Sequence, residues 1–430
     1  MLAGDKNEFD TRGVEASRGR VFVVGGGIVG LSCALAAQRR GFAVTLADPR
    51  GFGNGASYGN PGVIANSEGV PLAPPGVLRT GPWMLFSKDS PLTIRWRYAP
   101  QIAPWMLRFV RSGTPGRVRG AAQALASLLA LSKSAHHDLA REAGIAGSIR
   151  EVGWLKAFET DASFKGAARD FELMQRHGVE CQYWNAQQVR EREPGLARSF
   201  KHAIMHPDCA QIDDPGAYCA ALGRLFLSRG GQLVQSEVLR LEAGGARVQC
   251  AHTGTQAYEA DQFVIAAGAW SRKLAADVGD RVPLDTERGY HLVFRTPGQR
   301  VFQQPIYWAE KSVVMSAAPG RLRVTSSVEF AGLEAKPDFR KLRRQVADLR
   351  TATVHGCGPI EAEWQGFRPS MPGSLPVLGR SQRAENCILA FGHGHLGLTA
   401  GPVTGEIVGR LLAGEPTPID ARPFSSARFA

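Results

Sequence analysis

Arg20-Val21-Phe22-Val23-Val24-Gly25-Gly26-Gly27-Ile28-Val29-Gly30 opens the stretch that decides the fold. The apolar run at 21–24 reads as a strand, and the glycines after it fit G-x-G-x-x-G. Residues 31–39, rich in Ala and Leu, predict a helix, which Gly41 stops. A second apolar run, 42–47, ends on Asp48. Strand, tight turn, helix and strand within about thirty residues make the dinucleotide fingerprint. Each position has a physical task. Gly25 turns the chain off the strand, Gly27 leaves room for a pyrophosphate, and Gly30 lets helix and sheet pack closely. Ile28 and Val29, within the turn, are expected among the cofactor-binding residues, and the N–H groups and positive dipole end of the helix that follows suit phosphates. Asp48, followed by Pro49, stands where a carboxylate accepts hydrogen bonds from a ribose.

The surrounding chain is long enough for two or three domains: 430 residues, 44% hydrophobic and 21% charged, with 50 glycines. The net charge is +12, but the basic residues are scattered. The densest groups are Arg340, Lys341, Arg343 and Arg344, and a looser set at Arg95, Arg97, Arg108 and Arg111. Neither makes a nucleic-acid arm. The seven cysteines show no C-x-x-C spacing. That argues against a metal site, an iron–sulfur cluster or a disulfide framework and fits a reducing compartment. Residues 1–19 are polar and read as a mobile extension, not a secretory signal. No run approaches the ~20 apolar residues of a membrane-spanning helix. The expected location is cytoplasmic.

After Asp48 comes a loop dense in glycine and small residues, 51–62. Ala56, Ser57, Asn60, Gly62 and then Val63 are expected to wrap the cofactor. Residues 79–111 mix Trp83, Met84, Leu85, Phe86, Trp96, Trp105 and Phe109 with arginines. Packing against the protein is the first reading of them, and contact with an anionic membrane surface is the second. Residues 121–143 predict one helix with His136 and His137 at its surface. Adjacent helical residues point about 100° apart, so the two are poor co-ligands. Helices are expected at 164–177, capped by Gly178, and at 187–192. One starting at Pro215 is capped by Asp213 or Asp214. Residues 232–241 predict a strand. The run 263–271 predicts a buried strand leading into Ala267, Gly268 and Trp270. Further β-structure is expected at 283–294, with a hairpin of 313–315 and 322–328 turning at Pro319-Gly320. A helix is expected at 341–351, a strand at 388–391 and a helix at 400–413.

In this order and spacing the chain resembles the flavin-dependent D-amino acid oxidase superfamily, and within it the bacterial D-amino acid dehydrogenases. The matching pieces are residues 24–30, 55–60 and 264–271, Arg288-Gly289-Tyr290-His291, Gly366-Phe367-Arg368-Pro369 and residues 392–397. The resemblance implies an α/β protein of two domains: a Rossmann-like FAD-binding domain from 20–85, 206–280 and 365–430, and a mainly antiparallel sheet domain from 86–205 and 281–364. It implies FAD held without a covalent bond, with Val238 by the adenine. The loop from Gly392 to Thr399, with Gly394, His395, Leu396, Gly397, Leu398 and Thr399 as its cofactor-binding residues, would lie by the flavin's pyrimidine end. It assigns Arg368 to the substrate carboxylate, which suits a planar, bidentate guanidinium. Tyr290 and His291 become candidates for the same pocket. Side chains alternate along a strand, so one of the two is expected to face it. His393 is a candidate at the flavin edge, without a general-base role.

The implied reaction is oxidation of a D-amino acid by hydride transfer from the α-carbon, with electrons passed to a quinone or respiratory carrier. Residues 392–397 and the Pro-Phe-Ser tail at Phe424 look more like the D-hydroxyproline branch than the D-alanine branch. An electron carrier at the inner face of the cytoplasmic membrane would make residues 79–111 a docking surface. Two alternatives stand beside this reading: a sarcosine- or glycine-type oxidase that uses oxygen, and a flavoprotein subunit of a multi-subunit dehydrogenase.

Overall fold

The strand Arg20–Val24 is apolar on both faces beyond its first residue. Such a run is stable only where a sheet is covered on both sides. Accordingly it sits inside a parallel sheet, between Ala43–Ala47 and Gln262–Ile265. The computed structural model describes residues 18–69, 71, 92–176, 179–354 and 356–429. Among these, six strands build this sheet in the order Gln232–Val234, Ala43–Ala47, Arg20–Val24, Gln262–Ile265, Cys387–Phe391, Val377–Arg380. Only the last is antiparallel.

Two helices, Ile28–Gln38 and Gly397–Ala413, cover one face of the sheet and meet along a seam of small residues. Gly401, Gly405 and Gly409 recur every four residues and face Ile28, Ser32 and Ala36. A Cβ on Gly405 would lie 2.5 Å from the Ser32 backbone. Overpacking of that kind costs roughly 1–3 kcal/mol. The seam therefore depends on glycine and draws the C-terminal helix onto the dinucleotide helix.

Among the described residues the second sheet has nine strands and is mainly antiparallel. At its site end, Asp285–Arg295 lies between Ile360–Ser370 and Arg321–Phe330. The register pairs Glu287 with Arg368 and Gly289 with Gly366. Directly opposed residues share a face, so these four point the same way, toward the first sheet.

Several sequence expectations change at this level. The segment 115–142 forms two helices, Pro115–Leu129 and Ser132–Glu142, where one was expected. Ser132 Oγ bonds the Leu128 carbonyl at the join, a back-bond that bends helices. His136 is buried, not exposed. Its Nε2 donates to the Leu398 carbonyl at 2.9 Å and its Nδ1 lies 3.1 Å from the Tyr218 hydroxyl. These helices pack in the core of the first sheet, although residues 86–205 were expected with the second. The boundary expected at residue 365 falls inside the strand Ile360–Ser370. The strand expected at 232–241 is two strands in two sheets, Gln232–Val234 and Val238–Gly244, parted by a turn at Ser236. The helix expected at 341–351 is two short ones, Arg340–Gln345 and Leu349–Ala352. Residues 83–86 and Gly178 lie outside the described residues.

Candidate functional site

A single cavity of about 1060 Å³ runs between the two sheets. Its lower wall begins at the glycine turn. Gly25 has φ +112°, and a Cβ there would meet the Ala266 carbonyl at 2.3 Å. A Cβ on Gly30 would fall 1.8 Å from the Gly25 carbonyl. These two glycines are demanded by the protein itself. Gly27 differs: a Cβ there would meet only Ser57 Oγ, at an ordinary 3.4 Å. Gly27 lines the cavity with Gly25, Ile28 and Val29, so its missing Cβ keeps space open for a ligand, not for packing. The N-cap residue Gly27 offers no side-chain acceptor and the first turn of the helix carries no acid, so the positive dipole end faces the cavity with no charge of its own helix against it.

The loop 51–62 closes over this turn. Ser57 Oγ accepts from the Ile28 N–H at 3.0 Å. Asp48 accepts from the Gly26 and Arg50 N–H groups, both at 2.8 Å. Its carboxylate thus ties loop to turn while it lines the cavity beside Pro49 and Val238. Ala56 and Asn60 line the cavity too, and Arg323 of the upper sheet donates to the Asn60 carbonyl at 2.7 Å. Ala267, Gly268 and Trp270 supply another stretch of wall. The Arg50 guanidinium lies 5.0 Å from the centre of the Trp270 ring.

The upper wall is the face that carries Arg368. Its guanidinium lies flat over Gly289, where a Cβ would come within 2.4 Å of Cζ. Glu287, two residues away on the same face, is 4% exposed. It accepts from Ser370 Oγ at 2.7 Å and pairs with His395 Nε2 at 2.7 Å. Burial alone would raise the Glu287 carboxyl. His395, Ser370 and the nearby Arg368 charge outweigh burial and hold it below the usual carboxylate range. Burial lowers the Arg368 guanidinium and Glu287 opposes that shift. An arginine remains a cation under such pressure.

His393 lines the cavity below this network, with Nε2 3.0 Å from Thr404 Oγ1. Burial pushes its ring down to about 4, so it is neutral near pH 7. At the other end of the upper wall, Tyr98 donates to both oxygens of Asp285 at 3.0 Å. Burial raises the Asp285 carboxyl. Arg288, behind the wall, donates to the Gly332 and Leu333 carbonyls at 2.9 and 3.3 Å. It thereby pins the cavity-lining segment 331–334.

The cavity brings together most of the residues expected in it, including Gly394, His395, Gly397 and Leu398. Others stand behind its walls. Tyr290 turns to the core of the upper sheet and donates to Glu329. His291 is on the cavity face but is covered: it donates to the Gly59 carbonyl at 3.2 Å and stacks on Trp364. Neither member of that pair reaches the cavity, against the expectation that one would. Gly62, Val63 and Thr399 support the wall from outside, with Thr399 Oγ1 accepting from the Ala65 N–H at 3.1 Å. Leu396 closes the short turn after His393, and Gly30 packs on Gly25. Sequence reasoning missed Glu287, Asp285 and Tyr98. Two acids spaced i, i+2 at the start of a run expected as β-structure were the available signal, because buried carboxylates need partners.

The walls fit a flavin dinucleotide on the geometry just described: a helix N-terminus without an acid in its first turn, a glycine whose space the protein leaves open, and one cavity that runs on to the cation-bearing wall. Comparison with known proteins agrees. The family model for FAD dependent oxidoreductases, DAO, matches residues 20–411. A D-amino-acid oxidase of Bradyrhizobium diazoefficiens is 36% identical, the match covering 95% of this chain and 98% of that protein. A D-amino acid dehydrogenase 2 of Pseudomonas aeruginosa is 32% identical, covering 93% and 96%. Among solved structures, glycine oxidase from Geobacillus kaustophilus superposes with a TM-score of 0.74 at 22% identity, covering 95% of this chain and 99% of that one.

Proposed function

This chain belongs to the DAO family of FAD dependent oxidoreductases, and we propose that it oxidises a D-amino acid at the α-carbon. One observation carries the reading. The Arg368 guanidinium, seated on Gly289, faces the cavity that begins at the dinucleotide turn. Its planar fork meets a carboxylate at two points and so fixes direction as well as position. FAD, when bound, supplies the two-electron hydride acceptor. Gly25, Gly27, Ile28, Val29, Asp48 and Ser57 would hold its nucleotide half.

The chain's own residues prepare the substrate. Arg368 orients it by the carboxylate, and orientation of this kind contributes several kcal/mol to catalysis. Glu287, kept ionised by His395 and Ser370, sets its charge near the guanidinium that rests on Gly289. His393, neutral, adds no charge near the amine. No side chain is assigned as general base. The amine enters in its neutral form, and the imine hydrolyses in water.

The finer reading is a secondary cyclic amine, D-proline or cis-4-hydroxy-D-proline, supported by the sequence likeness of residues 392–397 and of the Phe424 tail. FAD is held without a covalent bond. Electrons pass to a quinone or carrier protein, and the exposed Trp96 and Leu107 beside Arg97 and Arg108 suit a docking or peripheral membrane contact. Among the described residues no helix is long and apolar enough to cross a membrane. A second reading, an oxidase that uses oxygen, is favoured by the name of the 36% identical relative. Anaerobic bleaching of the yellow protein with D-amino acids, D-hydroxyproline, L-proline and sarcosine tests substrate class. Bleaching by L-proline or sarcosine alone, with every D-amino acid inert, overturns the proposal. Peroxide yield in air against dye reduction then separates the two acceptors.

A further inference from the structure

Away from the cavity, the three-stranded sheet of Val238–Gly244, Arg247–Thr253 and Ala257–Glu259 has two unlike faces. Leu241 and Ala251 lie opposite each other and are buried. On the other face Glu242 lies opposite Cys250 on one side, and Glu259 lies opposite Cys250 on the other. His252 follows two residues on and shares that face. The Cys250 Sγ is 3.1 Å from His252 Nε2 and 3.8 Å from Glu242 Oε2. His252 Nε2 and Glu242 Oε2 are 2.6 Å apart. Thiol, imidazole and carboxylate converge on one point, all half-buried.

We propose that Cys250, His252 and Glu242 form a binding site for a divalent transition-metal ion of the zinc class, clasping two strands of this sheet. Cysteine, histidine and carboxylate together are a borderline-soft donor set that zinc and cobalt prefer over calcium or magnesium. Bonds of about 2.0–2.3 Å in a tetrahedron hold ligand atoms roughly 3.3–3.7 Å apart. The two sulfur contacts are within a few tenths of an ångström of that. The His252–Glu242 contact must open by roughly 0.7 Å, which rotation of two half-exposed side chains supplies without backbone movement. On binding, the thiol proton goes to solvent and the imidazole proton moves to Nδ1, so the hydrogen bond to Glu242 is exchanged for two metal bonds. Water or the exposed Glu259 carboxylate completes the shell. Arg240 Nη2, 3.2 Å from the same Glu242 oxygen, competes with the ion for it. Cysteine spacing along the chain showed no such site, because its ligands come from paired strands.

The clasp has a mechanical consequence. Val238 begins the strand that carries Glu242, and with Glu237 and Leu239 it lines the cavity. An ion that joins this strand to its neighbour stiffens that stretch of wall.

The test uses the purified, chelator-washed flavoprotein titrated with Co²⁺. The visible d–d bands lie to the red of flavin absorption and report tetrahedral sulfur ligation. We expect saturation at one ion per chain, reversal by Zn²⁺, and slower loss of FAD on dilution with Zn²⁺ present. Cys250→Ser should abolish the bands and weaken Zn²⁺ binding at least about tenfold, with FAD content unchanged as the control for folding. Arg240→Ala should tighten binding severalfold. A titration without saturation, or one that Cys250→Ser leaves intact, overturns the site. Turnover on D-amino acids is not its readout, so its failure and that of the proposed function are distinct.

Discussion

The glycine turn and the wall above it bound the same cavity but are built in different ways. The turn lies in one unbroken stretch, Arg20 to Gly30, and its tasks are backbone tasks. The upper wall is gathered from distant strands: Glu287 meets Ser370 83 residues on and His395 108 residues on. In the turn, each glycine answers to the atom nearest it. In the wall, each side chain answers to a register. Damage to the turn should therefore appear as lost folding or lost cofactor, and damage to the wall as lost turnover with the cofactor retained.

The largest expected effect lies within the turn. Gly30→Ala sets a Cβ 1.8 Å from the Gly25 carbonyl, so soluble yellow protein should be lost outright on expression. Arg368→Ala comes next. Removing the charge proposed to pair with the substrate carboxylate costs about 3–5 kcal/mol, so kcat/KM should fall about 10²–10⁴-fold with FAD still bound. Steady-state kinetics beside the flavin spectrum checks both halves. Colourless Arg368→Ala protein would erase the contrast between the regions. Gly289→Ala probes the same guanidinium without touching its charge. Its new Cβ would displace Arg368, and a misplacement of about 1 Å costs about 10²-fold. Wild-type kinetics for this variant would show that the seat on Gly289 does not matter. Gly27→Ala is the mirror experiment: the fold tolerates its Cβ, so melting of the FAD-free protein should be unchanged while FAD binding weakens.

The last effect falls on stability and is spread over the molecule, away from the turn. Burial pushes His136, His206, His291 and His393 down to about 4. Unfolded, each titrates near 6.5. Between those values the unfolded chain binds more protons, so stability falls as pH drops from about 6.5 to about 4. Glu193, pushed up to about 7 by burial, and Asp285, also raised by burial, run the other way, but they are two groups against four. Each histidine contributes on the order of 1–2 kcal/mol at about pH 5. Thermal melts should shift down by several degrees between neutral pH and about pH 5. A higher Tm at the acid end would show that these rings are not held neutral.

How much was legible follows from the same contrast. The turn could be read because a missing Cβ and a strand-to-helix step are local properties of a few residues. The place of Arg368 on the cavity wall was legible through family resemblance, since a guanidinium before a proline carries no address of its own. The Tyr290–His291 pair misled because alternation names the face of a strand, not what covers it. His291 does share the face of Gly289, and Trp364 with the Gly59 carbonyl closes over it. His136 failed for a related reason: helical position says nothing of Tyr218 and Leu398, which cross over it.

The amino-acid order by itself determined the dinucleotide grip, the apolar strands of the parallel sheet and the small-residue stretches that approach a cofactor. Those depend on φ, on Cβ and on hydrophobic period, which each segment carries wherever it is placed. Only the tertiary structure decided that Glu287 is ionised, that Arg368 rests on Gly289, and that Cys250, His252 and Glu242 converge. Charge states and ligand geometries are set by which atoms become neighbours, and the pairing of strands decides that.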